Sequence, residues 1–186
     1  FDGNITLTST DATMTLAAGA TITSGTEGLW DTVGDISVTV TNGDLTFTDA
    51  TSQVVTTAKG AVGAPLYITE AQAAAVVETG DITLTVTNGA VTGADGAEGV
   101  VRSGLVVVED ADAGEEGVLA AKSGAVLIQT LATGGDVTDI AVSTGLATVM
   151  NSFGSDIATV GNITITSADG SVGTSDANLL SVTSGT

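Results

Sequence analysis

Any chemistry in this sequence falls to carboxylates and hydroxyls, because its 186 residues include no histidine and no cysteine. The densest acidic group is Glu109-Asp-Ala-Asp-Ala-Gly-Glu-Glu116, five carboxylates in eight residues. A hard cation such as calcium takes several oxygens at about 2.3–2.6 Å, and an Asp-x-Asp turn with glycine can supply them. Glu109, Asp110, Asp112, Glu115 and Glu116 are therefore the candidate calcium ligands, and calcium is the only cofactor for which the chain offers residues. The EF-hand spacing fails, since the twelfth position counted from Asp110 is Ala121. The Gly-Gly-x-Gly-x-Asp calcium-roll pattern is absent as well. A solvated acidic loop accounts for the same residues without metal.

Catalytic constellations are harder to assemble. Ser–His–Asp and Cys–His arrangements are impossible here, and the commonest general base is missing. Aspartates are plentiful, but Arg102 is the only arginine and no aspartate pair belongs to a motif separate from the repeats. Carboxylate pairs for glycoside hydrolysis need a separation of about 5–9.5 Å that only a fold can set. The expectation is a protein that is not an enzyme. Two sequons, Asn4-Ile-Thr6 and Asn162-Ile-Thr164, are candidate glycosylation sites, each at the start of a predicted strand. Thr-x-Thr pairs occur at 6/8, 13/15, 21/23, 39/41, 46/48, 83/85 and 164/166. A flat array of such pairs on one face can bind ice-ordered water. Here they are spread over several strands of each unit and read as ordinary outward-facing β residues.

The elements that carry these residues are defined by composition and repetition. Apolar residues make up 42% of the chain, which excludes a disordered tail. They are mostly Val, Ala, Leu and Ile, with five aromatics: Phe1, Trp30, Phe47, Tyr67 and Phe153. Thin aliphatic layers suit a narrow solenoid better than a thick sandwich. Twenty-two acidic residues face three basic ones, Lys59, Arg102 and Lys122, for a net charge of −19. Such a polyanion is repelled by nucleic acid and by anionic membranes. No apolar run reaches the roughly 18 residues of a membrane span, so membrane insertion is not expected. The chain opens on Phe1 with no basic leader, as expected of a processed or excised segment.

Repetition is the strongest signal. Gly34-Asp-Ile-Ser-Val-Thr-Val-Thr-Asn-Gly43 recurs as Gly80-Asp-Ile-Thr-Leu-Thr-Val-Thr-Asn-Gly89, and more loosely as Gly161-Asn-Ile-Thr-Ile-Thr-Ser-Ala-Asp-Gly170. Partial copies begin at Gly3 and Gly124, so the starts lie 31, 46, 44 and 37 residues apart. Ile36, Val38 and Val40 alternate with Ser37, Thr39 and Thr41, the period of two that places aliphatics on one face of a strand. Further strands are predicted near 12–16, 20–23, 44–48, 53–57, 104–109, 125–130 and 179–183. Thr69-Glu-Ala-Gln-Ala-Ala-Ala-Val-Val-Glu78 has a capping threonine, a Gln three residues on and an alanine run, which predicts a short helix.

Two architectures fit this pattern. In a right-handed parallel β-helix with loop insertions, coils of about 20–25 residues would give roughly eight coils and a rod about 40 Å long at the usual strand spacing. In an antiparallel β-sandwich, Asn42-Gly43 and Asn88-Gly89 would be hairpin turns, with Val40 facing Leu45 and Val38 facing Phe47. Recurrence of whole strand-and-turn units along the chain favours the β-helix. Residues 1–186 are then a single solenoid domain, whole or one segment of a longer array.

The units, most clearly Gly161-Asn-Ile-Thr-Ile-Thr-Ser-Ala-Asp-Gly-Ser-Val-Gly-Thr-Ser-Asp-Ala-Asn-Leu-Leu180 and the Gly-Asp-Ile phrases at 34 and 80, resemble those of filamentous-haemagglutinin-type giant surface adhesins. The resemblance covers about half the chain in patches. It implies a right-handed β-helix displayed at a cell surface, outside the cell. The C-terminal Ser181-Val-Thr-Ser-Gly-Thr186 stops where a new unit is due, and Gly3-Asn-Ile-Thr-Leu supplies one. The first functional expectation is a structural protein that forms or decorates a fibre, with further copies of itself as head-to-tail partners. The second is an adhesin segment binding a surface glycan or protein through loops 58–66 and 93–118, and the third a donor-strand pilus subunit with a sandwich fold.

Overall fold

The computed structural model describes residues 3–25, 33–68, 76–94, 96–110, 119–150, 156–173 and 181–184. These residues form twenty strands and no helix. They run in five successive tiers. The first holds β1 (Ile5–Ser9), β2 (Met14–Leu16) and β3 (Thr21–Ser24); the second holds β4 (Ile36–Asn42), β5 (Leu45–Phe47), β6 (Gln53–Thr56), β7 (Leu66–Ile68) and β8 (Val76–Glu78). The third holds β9 (Ile82–Asn88), β10 (Val91–Thr92), β11 (Gly99–Arg102), β12 (Val106–Asp110) and β13 (Ala120–Lys122). The fourth holds β14 (Val126–Thr133), β15 (Val137–Thr138), β16 (Ile140–Ser143), β17 (Ala147–Met150) and β18 (Ile157–Thr159). The fifth holds β19 (Ile163–Asp169) and β20 (Ser181–Thr183).

Strands of one tier do not pair with each other. Each pairs with its counterpart in the tiers before and after, giving five sheets ordered β1-β4-β9-β14-β19, β2-β5-β10-β15, β3-β6-β11-β16-β20, β7-β12-β17 and β8-β13-β18. Every pair of named strands is parallel, which overturns the antiparallel sandwich and with it the sandwich-type pilus subunit. The Asn-Gly dipeptides are not hairpins. Asn42-Gly43 carries the chain round a corner from β4 to β5, which lie in different sheets, and Asn88-Gly89 does the same between β9 and β10. A tier uses five strands when full, so the expectation of about eight coils of 20–25 residues fails. Five tiers at the usual interstrand spacing stack to about 20–25 Å.

In the first sheet, Ile5, Ile36, Ile82, Val126 and Ile163 share one register position, and Leu7, Val38, Leu84, Ile128 and Ile165 share the next inward one. Stacking like on like keeps β-branched and branched aliphatics in contact through all five tiers. The main core lies among the first three sheets and includes Phe47 and Leu45, both fully buried. A smaller one, with Val77, Val106, Val108, Leu119 and Ala121, lies between the last two. Of the helix predicted over 69–78, Val76–Glu78 is strand β8, because Val77 is needed in that second core; the rest lies outside the described residues. Stretch 93–118 is not a single loop either, since β11 and most of its neighbour β12 are regular members of their sheets.

Candidate functional site

The residues that repeat most faithfully are those that join one tier to the next. At the entrance to the first sheet, Gly3, Gly34, Gly80, Gly124 and Gly161 form a column. A Cβ at Gly34 would overlap the carbonyl of Gly3, and the same holds for Gly80 on Gly34, Gly124 on Gly80 and Gly161 on Gly124. Backbone passes so close to backbone there that only hydrogen fits. A second column closes the sheet, with Gly89 against Gly43, Gly135 against Gly89 and Gly170 against Gly135. The nine-residue spacing of the glycine pairs 34/43, 80/89 and 161/170 is the distance between these two corners. The fourth tier takes eleven, from Gly124 to Gly135, across an irregularity between Thr130 and Thr133.

Beside the first column runs a ladder of side-chain acceptors. The Asp35 amide donates to Asn4 Oδ1 at 2.9 Å, the Asp81 amide to Asp35 Oδ1 at 2.8 Å, and the Ala125 amide to Asp81 Oδ1 at 2.7 Å. At the second corner, the Ala90 amide donates to Asp44 Oδ1 at 2.9 Å and the Ser171 amide to Asp136 Oδ1 at 2.7 Å. Asn88 Nδ2 donates to Asn42 Oδ1 at 2.8 Å, and Asn42 Nδ2 to Asp11 Oδ1 at 2.9 Å. Many of the carboxylates are thus spent on holding backbone. Asp49 does so within one loop: the Thr51 hydroxyl and amide, with Ser52, hold its carboxyl below the usual range.

Inside, hydroxyls do the equivalent work. Thr79 Oγ1 accepts from the Gly124 amide at 2.9 Å and Ser123 Oγ from the Gly161 amide at 3.0 Å. Thr56 Oγ1 accepts from the Gly104 amide at 2.8 Å, and Ser103 Oγ from the Gly145 amide at 3.3 Å. All four hydroxyl residues are buried. Sequence reasoning missed them, although Thr79-Gly80, Ser103-Gly104 and Ser123-Gly124 place a hydroxyl directly before a glycine each time.

The candidate calcium ligands are only partly described. Glu109 and Asp110 end β12, beside Tyr67 and Ile68 of β7, while Asp112, Glu115 and Glu116 lie outside the described residues. Among the described residues no three acidic side chains converge on one point. Asn4 and Asn162 are both exposed, as are Thr6 and Thr164, and both asparagines stand at the first corner, next to Gly3 and Gly161. In loop 58–66, Lys59 is buried and bridges Val106 through its backbone, and Ala61 and Ala64 close a tight turn at whose tip Val62 is exposed. Lys122 forms an exposed ion pair with Glu78 at 3.5 Å.

The Thr-x-Thr pairs are less scattered than the sequence implied. Thr8, Thr39, Thr85, Gln129 and Thr166 share one outward rank of the first sheet, and Thr6, Ser37, Thr83, Leu127 and Thr164 share the adjacent one. Thr15, Thr46, Thr92 and Thr138 form a further rank on the second sheet, with 3.5 Å between the hydroxyls of Thr46 and Thr92. No charged side chain interrupts these ranks. Searches against protein-family models, curated proteins and solved structures find no match to this chain.

Proposed function

We propose that the five tiers are the coils of a right-handed parallel β-helix, and that the protein is an extracellular structural element that builds or decorates a cell-surface fibre by end-to-end association. Right-handedness follows from the near-universal hand of parallel crossovers. The observation that carries the reading is the state of the two outermost strands of the first sheet. The inward residues Ile5 and Leu7 of β1, and Ile163 and Ile165 of β19, are only partly buried, whereas their counterparts in the inner tiers are almost completely so. Each edge also presents a row of backbone donors and acceptors that recruits a further strand. Electron microscopy of the concentrated protein tests this: filaments with a meridional reflection near 4.8 Å are expected from stacked strands. Filaments lacking it, or particles that stay single at every concentration and ionic strength, would overturn it.

A second reading, an adhesin segment, is favoured by Val62 and Tyr67, which are 77% and 60% exposed on and beside loop 58–66. An exposed tyrosine offers a flat apolar face to a sugar ring or a protein partner. Retention of a monomer on a target cell surface, lost in Tyr67→Ala, would support it.

A further inference from the structure

We infer that the seat above Gly3 is occupied by the fifth tier of a second copy, with Gly161 placed over Gly3 and Asn162 over Asn4; this rests on the end-to-end reading just given. The first observation is a glycine without a local cause. Gly34, Gly80, Gly124 and Gly161 are each held to glycine by the carbonyl of the tier before. Gly3 is not: a Cβ there would meet nothing within 4 Å, and its φ lies outside the left-handed range. A carbonyl stacked over it would impose the same demand. The carbonyl of Gly161 is the one at the far end of the column.

A second, independent observation comes from the acceptor ladder. Asn4, Asp35 and Asp81 each receive the amide of the following tier. Ala125 offers no acceptor in the fourth tier, but Asn162 in the fifth restores the same kind of side-chain oxygen at that position, exposed. A copy seated below brings the Asn4 amide to it. In return, the Ile163 amide reaches the Asn4 carbonyl, repeating Ile5 to Asp35 at 2.8 Å, Ile36 to Asp81 at 2.9 Å and Val126 to Asn162 at 2.9 Å. Ile163 then covers Ile5 and Ile165 covers Leu7, completing both aliphatic columns across the joint.

One position departs from the pattern. Ala12 lies against Gly43, at the corner where the later tiers carry Gly43, Gly89, Gly135 and Gly170. Its methyl group faces the Gly170 carbonyl in a joined pair, so the second corner opens and the contact concentrates on β19 against β1. The contact is head-to-tail and does not close on itself, which yields an open filament rather than a dimer.

Gly3→Val tests the joint without touching the fold that the chain makes alone. The variant should keep the wild-type circular dichroism and melting temperature, while its end-to-end association constant falls about a hundredfold, as expected when a methyl-sized overlap enters a fitted contact. A Thr6→Cys/Thr164→Cys double variant provides the complementary reading. The two positions become in-register neighbours across the joint, at a separation that suits a disulfide, and the chain has no other cysteine. Oxidation should give a covalent ladder of multimers, and Thr8→Cys/Thr164→Cys, off by one rank, much less. If the wild type assembles but Gly3→Val assembles equally well, or the in-register pair fails to cross-link, this joint is wrong although end-to-end assembly stands. Should the wild type never assemble, both fall.

Discussion

The backbone amide of Asp81 donates at 2.8 Å to the carboxylate of Asp35, 46 positions earlier in the chain. Aspartate at this corner is therefore a structural acceptor between tiers. It also stacks negative charge on negative charge at about one strand spacing, roughly 4.8 Å. The bond favours the column and the repulsion opposes it.

Substitution at Asp35 separates these two effects. Asp35→Ala removes the acceptor from an exposed bond and should lower stability by about 0.5–1.5 kcal/mol. Asp35→Asn keeps an acceptor and removes one of two neighbouring charges, so it should be close to neutral. Urea unfolding of both variants decides it, and equal losses would mean that the bond contributes nothing specific.

Gly80→Ala should be among the most damaging single-methyl changes in the chain. The new carbon overlaps the Gly34 carbonyl, and its nearest neighbours are all backbone atoms of Val33 and Gly34, which cannot swing aside as a side chain can. A loss of about 1–3 kcal/mol, or failure to fold, is expected by comparison with overpacked cores. Gly3→Ala, with nothing within 4 Å, should leave the melting temperature unchanged.

Phe47 and Gly99 share one space. The side chain is fully buried, and a Cβ at Gly99 would overlap its Cβ and Cγ and crowd Cδ1. Phe47→Leu and Gly99→Ala should each destabilise, by about 1–3 kcal/mol for the overpacked alanine. Leucine keeps the Cβ and Cγ that the new methyl meets first, so the double variant should lose about the sum of the two. A thermal-unfolding cycle in which the double variant is clearly more stable than that sum would show that the outer ring, rather than the stem of the side chain, carries the overlap.

Most of the first sheet was legible because Ile36, Val38, Val40 and Ile82, Leu84, Val86 alternate strictly and are bounded by glycine. The spacing of the unit starts, 31, 46, 44 and 37, gave the tier lengths directly. The coil estimate fails because a full tier holds five strands, and its shortest ones carry no signal in the sequence. Val76–Glu78, Ala120–Lys122 and Ile157–Thr159 are three-residue strands with at most one core residue each, too short for any period to register. Asn42-Gly43 misled for a different reason: the dipeptide that turns a hairpin also turns a corner, and only the bond from Asn88 in the next tier separates the two. The acceptor ladder was invisible because its partners lie 31 to 46 positions apart.

Asp49 gives a pH signature. The Thr51 hydroxyl and amide and then Ser52 stabilise its charged form, so its folded pKa lies below the usual 3.8. The stabilisation is therefore complete above that value and disappears as pH falls through the lower, folded one. Asp49→Asn should melt slightly earlier than wild type at neutral pH, and the gap should narrow below about pH 3.8. A gap that is constant through the acid range would assign the difference to the loop backbone instead.

Because strands of one tier bond only to neighbouring tiers, the backbone hydrogen bonds between tiers point along the stacking direction. A force drawn through the two ends therefore peels the outermost tier bond by bond, while the inner interfaces share the same load over whole strands. The molecule should pay out its chain in discrete lengths, one tier per event. For the tiers that begin at Gly34 and Gly80, 46 and 44 residues long, each event frees about 150 Å of extended chain. A fibre of such units would act as a ratcheted shock absorber, whose step size is written in the spacing of its glycines.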